Sequence, residues 1–154
     1  MKKMSLGVIF GNRDFFPDHL ITTARKEIVD LFKELDIKPI MVGENDTKLG
    51  SVVTYEHAKV CADLFKKHQD DIDGVLVVLP NFGDEKGVAD TIKLSGLRVP
   101  ILVQAYPDDL GKFDVVNRRD AFCGKISVCN NLRQYGFDYS LTSLHTSSPK
   151  SESF

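Results

Sequence analysis

Cysteine is scarce in this sequence and does not pair by spacing. Cys61, Cys123 and Cys129 make an odd number with no CxxC pattern, which argues against a disulfide framework and fits a reduced, cytoplasmic setting. Long apolar runs are also missing. The longest are strand-sized, well short of the roughly 20 residues that cross a bilayer. The opening MKKMSLGVIFGNRD has a basic pair, but its apolar stretch meets Arg13 and Asp14 at once, so it reads as a first strand and not as a signal peptide. Charge of one sign is absent: 20 Lys and Arg face 22 Asp and Glu, a formal net charge of −2, which offers no basic surface to nucleic acid. The histidines, His19, His57, His68 and His145, lie far apart, with no HxH or HExxH spacing and no cysteine at ligand distance; the chain itself is not expected to hold a complete metal site. Neither GxxxxGK[ST] nor GxGxxG occurs, so the two common phosphate-cradling loops are excluded.

What is present is regular alternation. The 154 residues, 42% hydrophobic and 27% charged, suit one soluble domain with a sizeable core. Five short apolar runs are expected as strands: 6–10, 39–42, 75–79, 101–105 and 139–144. Between them lie helical patterns. Ile21, Ala24, Ile28, Leu31, Phe32 and Leu35 recur at helical spacing after Pro17-Asp18; Ala58, Cys61, Ala62 and Phe65 form a second stripe behind a Thr54 cap; Val88, Ile92 and Leu94 follow an Asp84 cap; and a helix over 119–135 turns Phe122, Ile126, Cys129 and Leu132 inward, with Gly136 at its C-terminal cap. Regular β-α alternation predicts a flavodoxin-like α/β three-layer sandwich with a five-stranded parallel sheet in the order 2-1-3-4-5. Residues 1–147 are expected to form this domain. Ser148-Pro149-Lys150-Ser151-Glu152 has the grammar of a helix start, so 148–154 reads as the start of a helix or as a linker to further domains.

In such sheets ligands bind beyond the carboxyl ends of the strands, where strand order reverses. For this order the crevice lies between the loops after the first and third strands, Gly11-Asn12-Arg13-Asp14-Phe15-Phe16-Pro17 and Pro80-Asn81-Phe82-Gly83-Asp84-Glu85. Arg13 offers a planar fork of donors. Asn12 and Asn81 both donate and accept, as a polyol requires. Asp14 is either a substrate contact or a helix cap, one of Phe15 and Phe16 is expected to be core, and Phe82 adds an apolar face. Gln104, at the end of the fourth strand, reaches the same rim. Asp120 reads as a first-turn acid and Cys123 as a buried thiol, with a reactive thiol as a minor alternative. A flavin site lacks its hydroxyl-rich first loop, and a phosphorelay site lacks an Asp at Leu79-Pro80-Asn81.

Four segments together resemble a known family. GVIFGNRDFFP, GVLVVLPNFGDEKGVADTIKLSGLRVPILVQAYPDD, DAFCGKISVCNNLRQYG and SLTSLHTSSPKSE are similar to the N-terminal part of L-fucose isomerase and L-arabinose isomerase-like proteins, over essentially the whole chain. The resemblance implies an N-terminal domain of a cytoplasmic, metal-dependent aldose–ketose isomerase. Its members work through an enediol and use a divalent ion, typically Mn2+, held by Glu, Asp and His of later domains. It implies that this domain leans over the active site of a neighbouring subunit in a trimer or hexamer, with Arg13 reaching the sugar and Asn81 and Phe82 nearby. The 154 residues alone would then be catalytically inert, with no catalytic residue and no metal ligand of their own. The competing expectation is a free-standing sugar-binding or oligomerisation module without chemistry.

Overall fold

The computed structural model describes residues 3–154. Its strands are β1 (Ser5–Phe10), β2 (Lys38–Ile40), β3 (Gly74–Leu79), β4 (Ile101–Ala105) and β5 (Ser140–Leu141). Its helices are α1 (His19–Glu34), α2 (Tyr55–Lys67), α3 (Glu85–Ser95) and α4 (Ala121–Gln134), with a single 3-10 turn at Lys48–Gly50. All pairings are parallel and the order is β2-β1-β3-β4-β5, the flavodoxin-like arrangement predicted from the alternation.

The central strand explains why helices cover both faces. Every residue of β3, GVLVVL, is buried, and a strand apolar on both sides must be roofed twice. Side chains alternate between the faces. Ile9, Val75, Val77, Leu79, Ile101 and Val103 enter one cluster with α2, α3 and α4, while Val8, Phe10, Leu76 and Val78 enter the other with Ala24, Ile28 and Phe32 of α1. Gly7 lets the first layer close: a β-carbon there would stand 3.0 Å from the Phe65 ring.

Caps follow their grammar. Thr54 Oγ1 accepts from His57 N at 3.3 Å and Asp84 Oδ1 from Gly87 N at 2.6 Å, and Gly136 adopts φ 80° after α4. Three expectations shift. β5 is two residues long and exposed. Leu35, expected inward, is 56% exposed beyond the end of α1. In α4 the inward face carries Ala121, Gly124, Lys125, Val128, Cys129 and Leu132, whereas Phe122 and Ile126 are exposed. The cause is close packing: a β-carbon on Gly124 would lie 1.9 Å from Phe82 O, so α4 turns its narrowest side toward the loop after β3. Residues 148–154 run as turns closed by Ser151 N to Ser148 O and Phe154 N to Ser151 O, and Phe154 packs against the α1-side cluster.

Candidate functional site

The two loops predicted to converge do so. β1 and β3 are adjacent and parallel, so their carboxyl ends emerge side by side. Gly11 and Gly83 allow the close approach: a β-carbon on either would meet Leu79 Cδ2 at 2.7 Å, and Gly83 has φ 75°. Asn12 and Asn81 clasp the loops. Asn81 Nδ2 donates to Asn12 Oδ1 at 2.8 Å, and Asn81 Oδ1 accepts from Arg13 N at 3.2 Å and Gly83 N at 3.0 Å. Asn12 Nδ2 reaches Ser51 Oγ and Asp18 Oδ1, each at 3.4 Å, and Asn12 N donates to Val52 O. Both asparagines are fully buried. Their amides therefore fix the rim and face each other, not a solute. Removing one would leave its partner's buried groups unpaired, at a cost of about 1–3 kcal/mol.

The loop over 43–52 is itself pinned. Arg25, buried on α1, donates to Val42 O at 2.6 Å and Gly50 O at 3.3 Å, which holds Ser51 and Val52 against Asn12.

Outside the clasp lies a crevice of about 380 Å³ lined by Arg13, Phe15, Phe16, Phe82, Arg118 and Asp120. The Arg13 guanidinium stands 4.9 Å from the Phe82 ring centre. It donates from Nε to Gly83 O at 3.1 Å, pairs with Glu85, and lies 3.8 Å from Asp84. Arg13 thus crosses from the first loop to the start of α3, with Nη1 facing the Asp84 carboxylate at 3.8 Å, beyond hydrogen-bond reach, so that not all of its five N–H donors are spent. Burial pushes the Asp84 carboxyl above its usual range, against the opposing pull of the Gly87 N–H and the Arg13 charge. Phe16 is buried and Phe15 is 67% exposed; their rings are 5.1 Å apart, and Phe16 lies 6.2 Å from Phe82.

The remaining predicted residues lie elsewhere. Asp14 is exposed beside Lys48 at 3.1 Å. Gln104 is fully buried and donates to Ser147 O at 2.7 Å, beneath the C-terminal turns and outside the crevice lining. Residues 118 to 120, in contrast, join the crevice from the far side. Asp108 Oδ1 accepts from both Arg119 N and Asp120 N at 3.2 Å, and Arg119 donates to Pro80 O at 3.0 Å while lying over Tyr106. The available signal was position alone: NRRD follows β4, so it emerges at the same end of the sheet.

No three His, Cys, Asp or Glu side chains are gathered to hold a metal ion among the described residues, and no helix there is long and apolar enough to cross a membrane. An apolar groove lies at the other end of the sheet, against Leu6, Leu76 and Leu102, with Phe154 at its side. Most of its lining is apolar, with Asp73 and Ser140 as its polar side chains.

Comparison with known proteins finds a match over residues 7–154 to a family described as Fucose/sulfoquinovose isomerase, N-terminal domain. No curated protein gives a significant match.

Proposed function

The chain belongs to the fucose/sulfoquinovose isomerase N-terminal domain family, and from that premise we propose that its crevice covers the sugar in the active site of an aldose–ketose isomerase. The observation that carries this is the convergence of the β1 and β3 loops, locked by Asn12 and Asn81, with Arg13 stacked on Phe82 at the crevice wall. Arg13 donates to sugar hydroxyls from the N–H groups that its bonds to Gly83 O and Glu85 leave over, and Glu85 beside it accepts from them. Phe15, Phe16 and Phe82 meet the apolar C–H faces of the sugar and keep water from an enediol, which solvent readily diverts.

The chemistry is completed from outside these residues. We assign the metal and the proton-transferring bases of the reaction to another part of the enzyme. A cluster of exposed apolar side chains on one loop supports such a partner. Leu110, Phe113, Val115 and Val116 are 63–94% exposed on the loop after β4. That loop reaches the start of α1, where His19 Nε2 lies 2.9 Å from Val116 O. Exposed apolar residues gathered in this way mark an interaction surface. We assign it to a neighbouring subunit whose active site the crevice overhangs, in a homo-oligomer.

Arg13→Ala in the complete enzyme tests the reading. Loss of a charged hydrogen bond to the transition state should reduce kcat/KM for the sugar by about 1–3 kcal/mol, roughly 5- to 150-fold. Unchanged kinetics would remove Arg13 from the site.

A further inference from the structure

Resting on the reading of the crevice as the sugar-facing surface, we propose that Arg118 and Asp120 form a second hydroxyl-binding subsite opposite Arg13. We further propose that this subsite takes an uncharged, hydroxylated part of the sugar and disfavours an anionic one.

Asp120 supplies the first observation. It occupies the N-cap of α4, where an aspartate ordinarily accepts a hydrogen bond from the first turn, yet its side chain makes no cap bond. No ion pair or side-chain hydrogen bond engages its carboxylate among the described residues. Its backbone is left-handed, φ 49°, a conformation that aspartate and asparagine adopt more readily than other residues with a β-carbon. Two N–H bonds to Asp108 hold the segment in place. An acid that gives up its cap and lines a crevice keeps its carboxylate open to a ligand.

Arg118 supplies the second. Its guanidinium lies 4.8 Å from the Phe16 ring centre, as that of Arg13 lies 4.9 Å from Phe82. Two cations therefore flank a pair of adjoining rings, and both face the same space. Unlike Arg13, Arg118 has no ion-pair partner among the described residues, and its Nε is buried without a hydrogen bond. The Arg118 guanidinium, which has no ion pair among the described residues, and the Asp120 carboxylate line the crevice beside the aromatic rings and suit hydroxyl groups, which accept from the one and donate to the other.

Charge decides the class of sugar. The guanidinium groups of Arg13 and Arg118 are matched by the carboxylates of Glu85 and Asp84, which engage Arg13, and by Asp120. No positive excess remains for a sulfonate, and an anion beside Asp120 would meet like charge. Of the two sugars in the family's description, the crevice matches the neutral deoxy sugar.

The test is kinetic, on the complete enzyme with its metal, using L-fucose and sulfoquinovose, with L-fucitol binding by calorimetry as an independent readout. The variants are Asp120→Asn, Arg118→Met and Arg13→Ala. Asparagine tolerates the left-handed backbone, so folding is preserved. Asp120→Asn should weaken L-fucose kcat/KM and L-fucitol binding about 10- to 100-fold and raise the sulfoquinovose to L-fucose ratio of kcat/KM. Arg118→Met should weaken L-fucitol binding to a similar degree. If both variants stay within twofold of wild type while Arg13→Ala is impaired, the subsite is wrong and the crevice reading stands. If Arg13→Ala is also unimpaired, the crevice reading falls with it. A wild-type enzyme that prefers sulfoquinovose overturns the assignment of sugar class.

Discussion

Gly124 shows how much one missing side chain decides. It stands inside α4, where glycine costs about 1 kcal/mol relative to alanine. The space explains its presence: a β-carbon would fall 1.9 Å from Phe82 O and 2.5 Å from Phe82 C, and backbone cannot yield as a flexible side chain can. Gly124→Ala should therefore destabilise the domain by about 1–3 kcal/mol despite its better helix propensity, as chemical denaturation would measure. The same change should weaken sugar binding in the complete enzyme, because the Phe82 loop and the Asp120 segment move apart. A stabilised variant would show that the approach relaxes freely. At this scale the clasp of Asn12 and Asn81 was visible only as two amides of the right type. Both were expected to meet a polyol, but a buried amide spends its donors and acceptors on the nearest buried groups, and here those are each other's.

At the scale of elements, α4 and the C-terminal turns behave as one unit. Lys125 is buried on the inner face of α4, and its Nζ donates to Thr142 Oγ1 at 3.0 Å and His145 O at 2.7 Å. Gln104 and Ser147 continue the attachment: Ser147 N donates to Ala105 O at 2.9 Å, and Ser147 O accepts from Gln104. Burial depresses the Lys125 pKa below its ordinary 10.5. A lysine with a depressed native pKa costs stability while charged in both states, and that cost is relieved as pH rises from its native value toward 10.5. Lys125→Met should remove this upward component from the pH profile of stability. It should also speed hydrogen exchange at the Ser147 amide, since the ammonium no longer ties 142–145 to α4. Unchanged exchange would show that β4 alone holds the segment. The stripe Phe122, Ile126, Cys129, Leu132 was read from apolar spacing; it held at Cys129 and Leu132 and failed at Phe122 and Ile126, because a lysine with two oxygen partners and a glycine against a carbonyl can both be inward residues.

The whole molecule presents two unlike ends. At the amino ends of the strands an apolar groove runs beside Phe32 and Leu102; at the carboxyl ends lie the crevice and the exposed loop after β4. If that loop is the seat of a neighbouring subunit, Phe113→Asp and Val115→Asp should leave unfolding stability within about 0.5 kcal/mol, as for exposed positions generally. Sedimentation of the complete enzyme should then show a smaller assembly. Intact assembly with both charges in place would exclude this surface from the interface.

Alternation of five apolar runs with four helical stripes was enough for the parallel order 2-1-3-4-5, because right-handed crossovers and short connections leave few alternatives. The same order brought the loops after β1 and β3 to one rim, with Arg13 and Phe82 on it. What spacing along the chain could not convey was the third wall. Arg118 and Asp120 reach the crevice because α4 closes on Phe82 at Gly124 and Asp108 holds the turn before it, contacts between residues 11 to 42 positions apart. Periodicity reports which face of an element is buried, whereas the partner met across the fold, and hence whether a polar group is spent internally or left open to a ligand, is decided only when those faces pack.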